Sequence, residues 1–150
     1  MQIPENGLPV LPRLPAVGRK SRRSLGSTAQ VTMILVIVED LLFVSKIQQT
    51  AQLIGVTVQP ADPTWGLETI IAKAPRALIL DLNHRSFPAL DFIRTLKAHP
   101  NTKAIPIVSF VSHVQSGVIA AAREAGCDLV LARSAFTQQL PQLLRKLAGI

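Results

Sequence analysis

The sequence is poor in features that several protein classes require. Cys127 is the single cysteine, which rules out an internal disulfide and fits a reducing, cytoplasmic setting. No apolar run approaches the roughly 20 residues of a membrane-spanning helix, so no membrane association is expected. Pro4, Pro9, Pro12 and Pro15 interrupt the first residues, which lack the apolar centre of a secretory signal. Glu39-Asp40-Leu41-Leu42 contains no glycine, whereas a dinucleotide-binding turn after a first strand is glycine-rich. Asn83 stands where a cobalamin-binding domain would need a histidine, and residues 82–91 hold no glycine. There is no Gly-x-Ser-x-Gly elbow, so hydrolase chemistry is unsupported. No aromatic ring interleaves with Arg19-Lys20-Ser21-Arg22-Arg23; base stacking is unsupported and nucleic acid is not an expected partner.

What is present is unevenly charged. The net charge is +7, of which residues 1–32 carry +4, five basic side chains against Glu5. This leader is rich in proline, glycine and serine and has no hydrophobic period, so it is expected to be disordered. Its basic run reads as a solvated tail or as residues upstream of a start at Met33, with an electrostatic hook for nucleic acid or an anionic membrane as the alternative. The remaining 118 residues carry +3 and are apolar enough for one core.

From Met33 onward strands and helices alternate. Strands are expected at about 33–38, 56–58, 77–82, 107–111 and 129–132. Helices are expected at about 41–54, 65–73, 88–98, 115–125 and 137–147, the last with Leu140, Leu143, Leu144 and Leu147 on one face. Gly55 and Gly126 are placed as helix caps and Pro75 as a stop. Five strands alternating with five helices predict an α/β fold, a flavodoxin-like doubly wound parallel sheet with helices on both faces.

Three carboxylates close two of the apolar strands. Glu39 and Asp40 follow Met33-Ile34-Leu35-Val36-Ile37-Val38, and Asp81 follows Ala77-Leu78-Ile79-Leu80. The carboxyl ends of such strands open onto the ligand crevice of a doubly wound sheet. Carboxylates there need an offsetting charge, and a hard, oxygen-liking cation such as Mg2+ is the candidate. Any one acid alone is better accounted for as a helix cap or turn former; it is the three together that point to a site.

At these residues the chain resembles the receiver domains of bacterial two-component response regulators, over about 33–147. The resemblance rests on Ile-Val-Glu-Asp at 37–40, Leu-Ile-Leu-Asp-Leu-Asn at 78–83, Ile-Pro-Ile-Val at 105–108 and Glu-Ala-Gly-Cys-Asp at 124–128. It implies that Asp81 is a phosphoacceptor. It further implies that Glu39, Asp40 and Asp81 bind Mg2+ with the backbone carbonyl of Asn83, since attack of a carboxylate on a phosphoryl group brings two anions together.

The departures from the family are equally specific. Val111, thirty residues beyond Asp81, stands where the family has a threonine or serine hydroxyl, and valine offers no hydrogen bond. Arg133 stands in place of the usual lysine and keeps the charge on a bulkier, planar group. Ser134 replaces a cis proline; a cis bond there would cost about 2.5–4 kcal/mol, so a trans peptide and a different local loop are expected. Val130 replaces the aromatic switch residue, and Val111 and Val130 are expected simply to pack.

The sequence therefore predicts a disordered leader over 1–32 and a stand-alone receiver over 33–150, signalling rather than enzymatic. Its expected partners are a histidine kinase or phosphotransfer protein upstream and a protein partner downstream. The alternative is a pseudo-receiver that docks without phosphorylation. His84 is expected to be an exposed loop residue, His99 a helix-end residue, His113 a rim residue, Cys127 a small core residue and Trp65 a helix-surface anchor.

Overall fold

A computed structural model describes residues 33–112 and 115–150; the leader at 1–32 and His113 lie outside the described residues. The strands are β1 (Met33–Ile37), β2 (Thr57–Pro60), β3 (Ala77–Asp81), β4 (Ile107–Val111) and β5 (Leu129–Ala132). The helices are α1 (Leu41–Leu53), α2 (Leu67–Lys73), α3 (Ala89–Ala98), α4 (Ser116–Ala125), α5 (Arg133–Gln138) and α6 (Leu140–Ala148). All strand pairs are parallel, in the order β2-β1-β3-β4-β5. This is the expected doubly wound sheet.

Alternation along the strands divides the core in two. Ile34, Val36, Ile79 and Phe110 pack with Phe43 and Ile47 of α1 and the α6 leucines. Leu35, Leu78, Leu80 and Ile107 pack on the other face against Ile70, Ile93 and Leu96 of α2 and α3. β3 and β4 are buried at every position, as central parallel strands covered on both sides should be.

Two elements differ from expectation. β2 runs on to Pro60, which reads as a turn residue in sequence; β2 is an edge strand, where a missing N–H leaves no ladder bond unmade. The single helix expected at 137–147 is two, α5 and α6, meeting at Gln139. Pro141 cannot donate to the Thr137 carbonyl and its ring would collide with it, so the chain breaks and restarts with the proline in the first turn of α6. Six helices therefore stand among the described residues, and where a different local loop was expected after β5, Arg133 opens α5 directly. No cis peptide occurs among the described residues.

Candidate functional site

Strand order assembles the site. β1 lies between β2 and β3, so the chain reverses its direction of winding between β1 and β3, and the crevice opens there at their carboxyl ends. The bend carrying Glu39 and Asp40 leaves β1, and Asp81 ends β3 on the neighbouring strand. Asp81 is only 5% exposed. Its Oδ2 accepts the Glu39 N–H at 3.3 Å and its Oδ1 the Asn83 N–H at 2.9 Å, so both oxygens are oriented by main chain.

Asp40 caps α1: its Oδ1 accepts the N–H groups of Leu42 and Phe43 at 3.0 and 3.3 Å. Its Oδ2 faces Arg133, whose Nη2 donates at 2.9 Å. The Arg133 guanidinium rests over the Phe43 ring, 4.0 Å from its centroid. Glu39 is held by Arg85 of the β3–α3 loop. Oε1 accepts the Arg85 N–H at 2.9 Å, while Nε and Nη2 lie 2.8 and 2.7 Å from Oε2. The Arg85 guanidinium hydrogen bond, then its backbone N–H, hold Glu39 below its ordinary pKa of 4.5. The Arg133 hydrogen bond, then the Phe43 and Leu42 N–H groups, hold Asp40 below 3.8. The same partnership raises Arg85.

Arg85 went unread in the sequence: it lies 46 residues from Glu39 in an irregular loop, and no local pattern joins them. The same is true of a polar bridge across the rim. The Asn83 side chain donates to Gln115 Oε1 at 2.8 Å and its Oδ1 accepts the Ser112 N–H at 2.7 Å, tying the β3–α3 loop to the segment after β4. His84 is half-buried, its Nδ1 accepting the Ser86 N–H, and lies edge-on to Phe87. His99 Nδ1 accepts the Asn101 N–H beyond the end of α3. Cys127 is buried against Ser109 Oγ and burial pushes its thiol up, as expected of a core cysteine. Trp65 precedes α2 rather than lying in it, partly buried against the core with Lys73 over its ring.

Val111 and Val130 are 1% and 4% exposed and share a sheet face, Val111 pairing with Ala132 and Val130 with Ser109. Both are buried, and Val130 packs within the core on that face. Substitution Val111→Thr places a hydroxyl where the chain now buries methyl groups, and an unpaired hydroxyl costs about 1–3 kcal/mol. The variant is expected to lose about that much in urea unfolding; stability equal to the parent would show that the hydroxyl has found an acceptor in the site.

The implied metal ligands do not stand as a cation would need them. Among the described residues, no three His, Cys, Asp or Glu side chains gather into a group able to hold a metal ion. The expected Mg2+ set of Glu39, Asp40, Asp81 and the Asn83 carbonyl is thus close in topology but not assembled, because internal donors occupy the oxygens of all three carboxylates. The charge that the sequence assigns to a metal is carried, at Glu39 and Asp40, by Arg85 and Arg133.

No family model matches the chain, and no curated protein matches it. Solved structures do. A response regulator from Chloroflexus aurantiacus is 21% identical with a TM-score of 0.69, covering 80% of this chain and 99% of that one. The receiver domain of a sensor histidine kinase from Pseudomonas aeruginosa, with magnesium coordinated in its active-site cleft, is 17% identical with a TM-score of 0.68, covering 80% and 99%. The chemotaxis response regulator CheY4 of Vibrio cholerae is 17% identical with a TM-score of 0.62, covering 78% and 98%. No helix among the described residues is long and apolar enough to cross a membrane. At TM-scores of 0.62–0.69 and with 98–99% of these domains covered, the chain has the fold of a response-regulator receiver domain.

Proposed function

We propose that this chain is a stand-alone receiver in a two-component phosphorelay, accepting a phosphoryl group on Asp81 from a histidine kinase or phosphotransfer protein and presenting the result to a downstream protein. The observation that carries this reading is Asp81 itself, a largely buried carboxylate at the switch point whose two oxygens are aimed by the Glu39 and Asn83 N–H groups. In the transfer, an Asp81 oxygen attacks phosphorus, a P–O bond forms, the P–N bond to the donor histidine breaks, and the imidazole takes the electron pair. Main-chain N–H groups fix the attacking carboxylate, and two arginines at the rim supply positive charge toward the incoming phosphoryl group. Magnesium in the Pseudomonas aeruginosa receiver makes a divalent cation the cofactor to test here.

A second reading, docking without phosphorylation, is favoured by one observation: Val111 and Val130 bury apolar side chains where a receiver's switch needs a hydroxyl and a ring. A phosphoryl group moves a protein only through contacts that differ between two states. The deciding measurement is intact-protein mass after incubation with a small phosphodonor and Mg2+. One added phosphoryl group on the parent and none on Asp81→Asn is the expected result. No addition to the parent would leave the docking reading.

A further inference from the structure

The charges of the described residues are sorted along the strand axis. All five strands are parallel, so they begin at one end of the sheet, and the crossover helices run back to finish there. α6 finishes there too, its Leu147 carbonyl accepting from Arg76 Nε just before β3. Arg123 lies in the last turn of α4, Arg145 and Lys146 in the last turn of α6, and Lys103 in the segment before β4. Lys97 at this end is paired with Asp128, so among the described residues Glu124 alone offsets Arg76 and these four cations, leaving +4. Lys73 ends α2 but turns its ammonium onto the Trp65 ring. At the crevice end the acids are matched locally, Glu39 by Arg85, Asp40 by Arg133 and Asp91 by Arg94.

The leader, with its own +4, joins the basic end at Met33, whose carbonyl accepts the Arg76 N–H. Its Arg19-Lys20-Ser21-Arg22-Arg23 run stops ten residues short of Met33, a reach of at most about 35 Å. Leader and basic end together hold +8 against a net +7 for the whole chain, so everything else sums to −1. A cation in a last turn complements the helix dipole, which accounts for Arg123, Arg145 and Lys146 one at a time. It does not account for the leader's charge arriving at the same end, nor for two apolar side chains that protrude there. Leu53, the last residue of α1, and Ile150, beyond α6, are 87% and 70% exposed. Cations around exposed aliphatic side chains suit a bilayer interface, where the cations meet lipid phosphates and the apolar tips enter the acyl boundary. A nucleic acid would be served by stacking rings, and none of the large hydrophobic side chains exposed among the described residues is aromatic.

We propose that the end of the sheet where the strands begin is a docking surface for an anionic lipid bilayer, reinforced by the basic run of the leader. Peripheral attachment of this kind is reversible and needs no spanning helix, so it is compatible with the short apolar runs of the sequence. Because the strands carry Asp81 at their opposite end, docking leaves the crevice turned away from the membrane and open to a soluble partner. The attachment does not depend on phosphoryl transfer.

The test is flotation of the full chain with phosphatidylcholine vesicles containing about 30% phosphatidylserine, against pure phosphatidylcholine vesicles, at about 0.1 M salt. The chain is expected to float with the anionic vesicles alone and to be released at about 0.5 M salt. Arg145→Gln combined with Lys146→Gln is expected to weaken binding about ten- to thirtyfold, and Leu53→Ser about three- to tenfold. Arg85→Gln combined with Arg94→Gln removes the same charge at the crevice end and is expected to change binding less than about twofold. No flotation with the anionic vesicles, flotation with both kinds, an equal loss for the two paired substitutions, or no loss for Leu53→Ser would each overturn the proposal. Retention of a DNA duplex at the same salt by a chain that leaves the vesicles unbound would assign the cations to nucleic acid and overturn it as well.

Discussion

Truncating Phe110 to alanine is expected to cost about 3–5 kcal/mol, a large share of the roughly 5–15 kcal/mol that holds a domain of this size together. Phe110 is fully buried in β4 and pairs in register with Asp81. Its ring meets Phe43 of α1 edge-on at 5.2 Å and Phe136 of α5 at 5.0 Å, and Phe43 and Phe136 are themselves 5.8 Å apart. Aromatic pairs in this geometry contribute about 0.5–1.5 kcal/mol each beyond the apolar area they bury, so alanine loses contact energy as well as opening a cavity. The trio also joins the pieces of the site, since the Phe43 ring is the platform under Arg133. Denaturant unfolding of Phe110→Ala and Phe110→Leu would measure the effect, with leucine expected to retain most of the stability. A loss below about 1 kcal/mol for alanine would mean that the trio is not where the cohesion of this face resides.

Asp128→Ala should be nearly as damaging, at the opposite end of the sheet. Asp128 Oδ2 accepts from Lys97 Nζ at 2.9 Å and from the Ile107 N–H that begins β4 at 2.8 Å. Lys97 Nζ also donates to the carbonyls of Lys103 and Ile105. The side chains are 15% and 24% exposed, so solvent screens the pair only in part. Removing the carboxylate leaves a largely buried ammonium without its anion and a strand N–H without an acceptor, an expected loss of about 2–4 kcal/mol. Adding Lys97→Met should recover part of it, because an apolar stem of similar length can stay in place once the charge has gone; that recovery is the coupling a double-mutant cycle measures. Stability within about 0.5 kcal/mol of the parent for Asp128→Ala would show that water already satisfies these groups. Gly126 is bound to the same network: its φ is +108°, and a Cβ there would lie 2.8 Å from Lys97 Cγ, so that turn requires glycine twice over.

Much of this was legible from residue pattern alone. The apolar runs of β3, β4 and β5 are short, dense and bounded by turn residues, and a run buried on both faces has one stable home in an alternating α/β chain, the middle of a parallel sheet. The leucine stripe of α6 and the glycine after α4 are local signals, because helix periodicity and a positive φ are decided within a few residues. Glu39, Asp40 and Asp81 were legible as well, since an acid at the end of a core strand is conspicuous whatever lies beside it.

What the sequence could not determine is what faces those acids. That Arg85 faces Glu39 depends on the path of a loop 46 residues away, and that path is set by docking α3 on the sheet. The Asn83 bridge to Gln115 and the three-phenylalanine cluster likewise join segments that only the strand order β2-β1-β3-β4-β5 brings together. Pro60 continues a strand because β2 falls at an edge, a fact that exists only once the sheet is assembled. Local propensity and periodicity act over a turn or a strand, and so they determined the elements and the acids. Charge compensation and ring packing act through space between elements, and so the tertiary structure alone decided them.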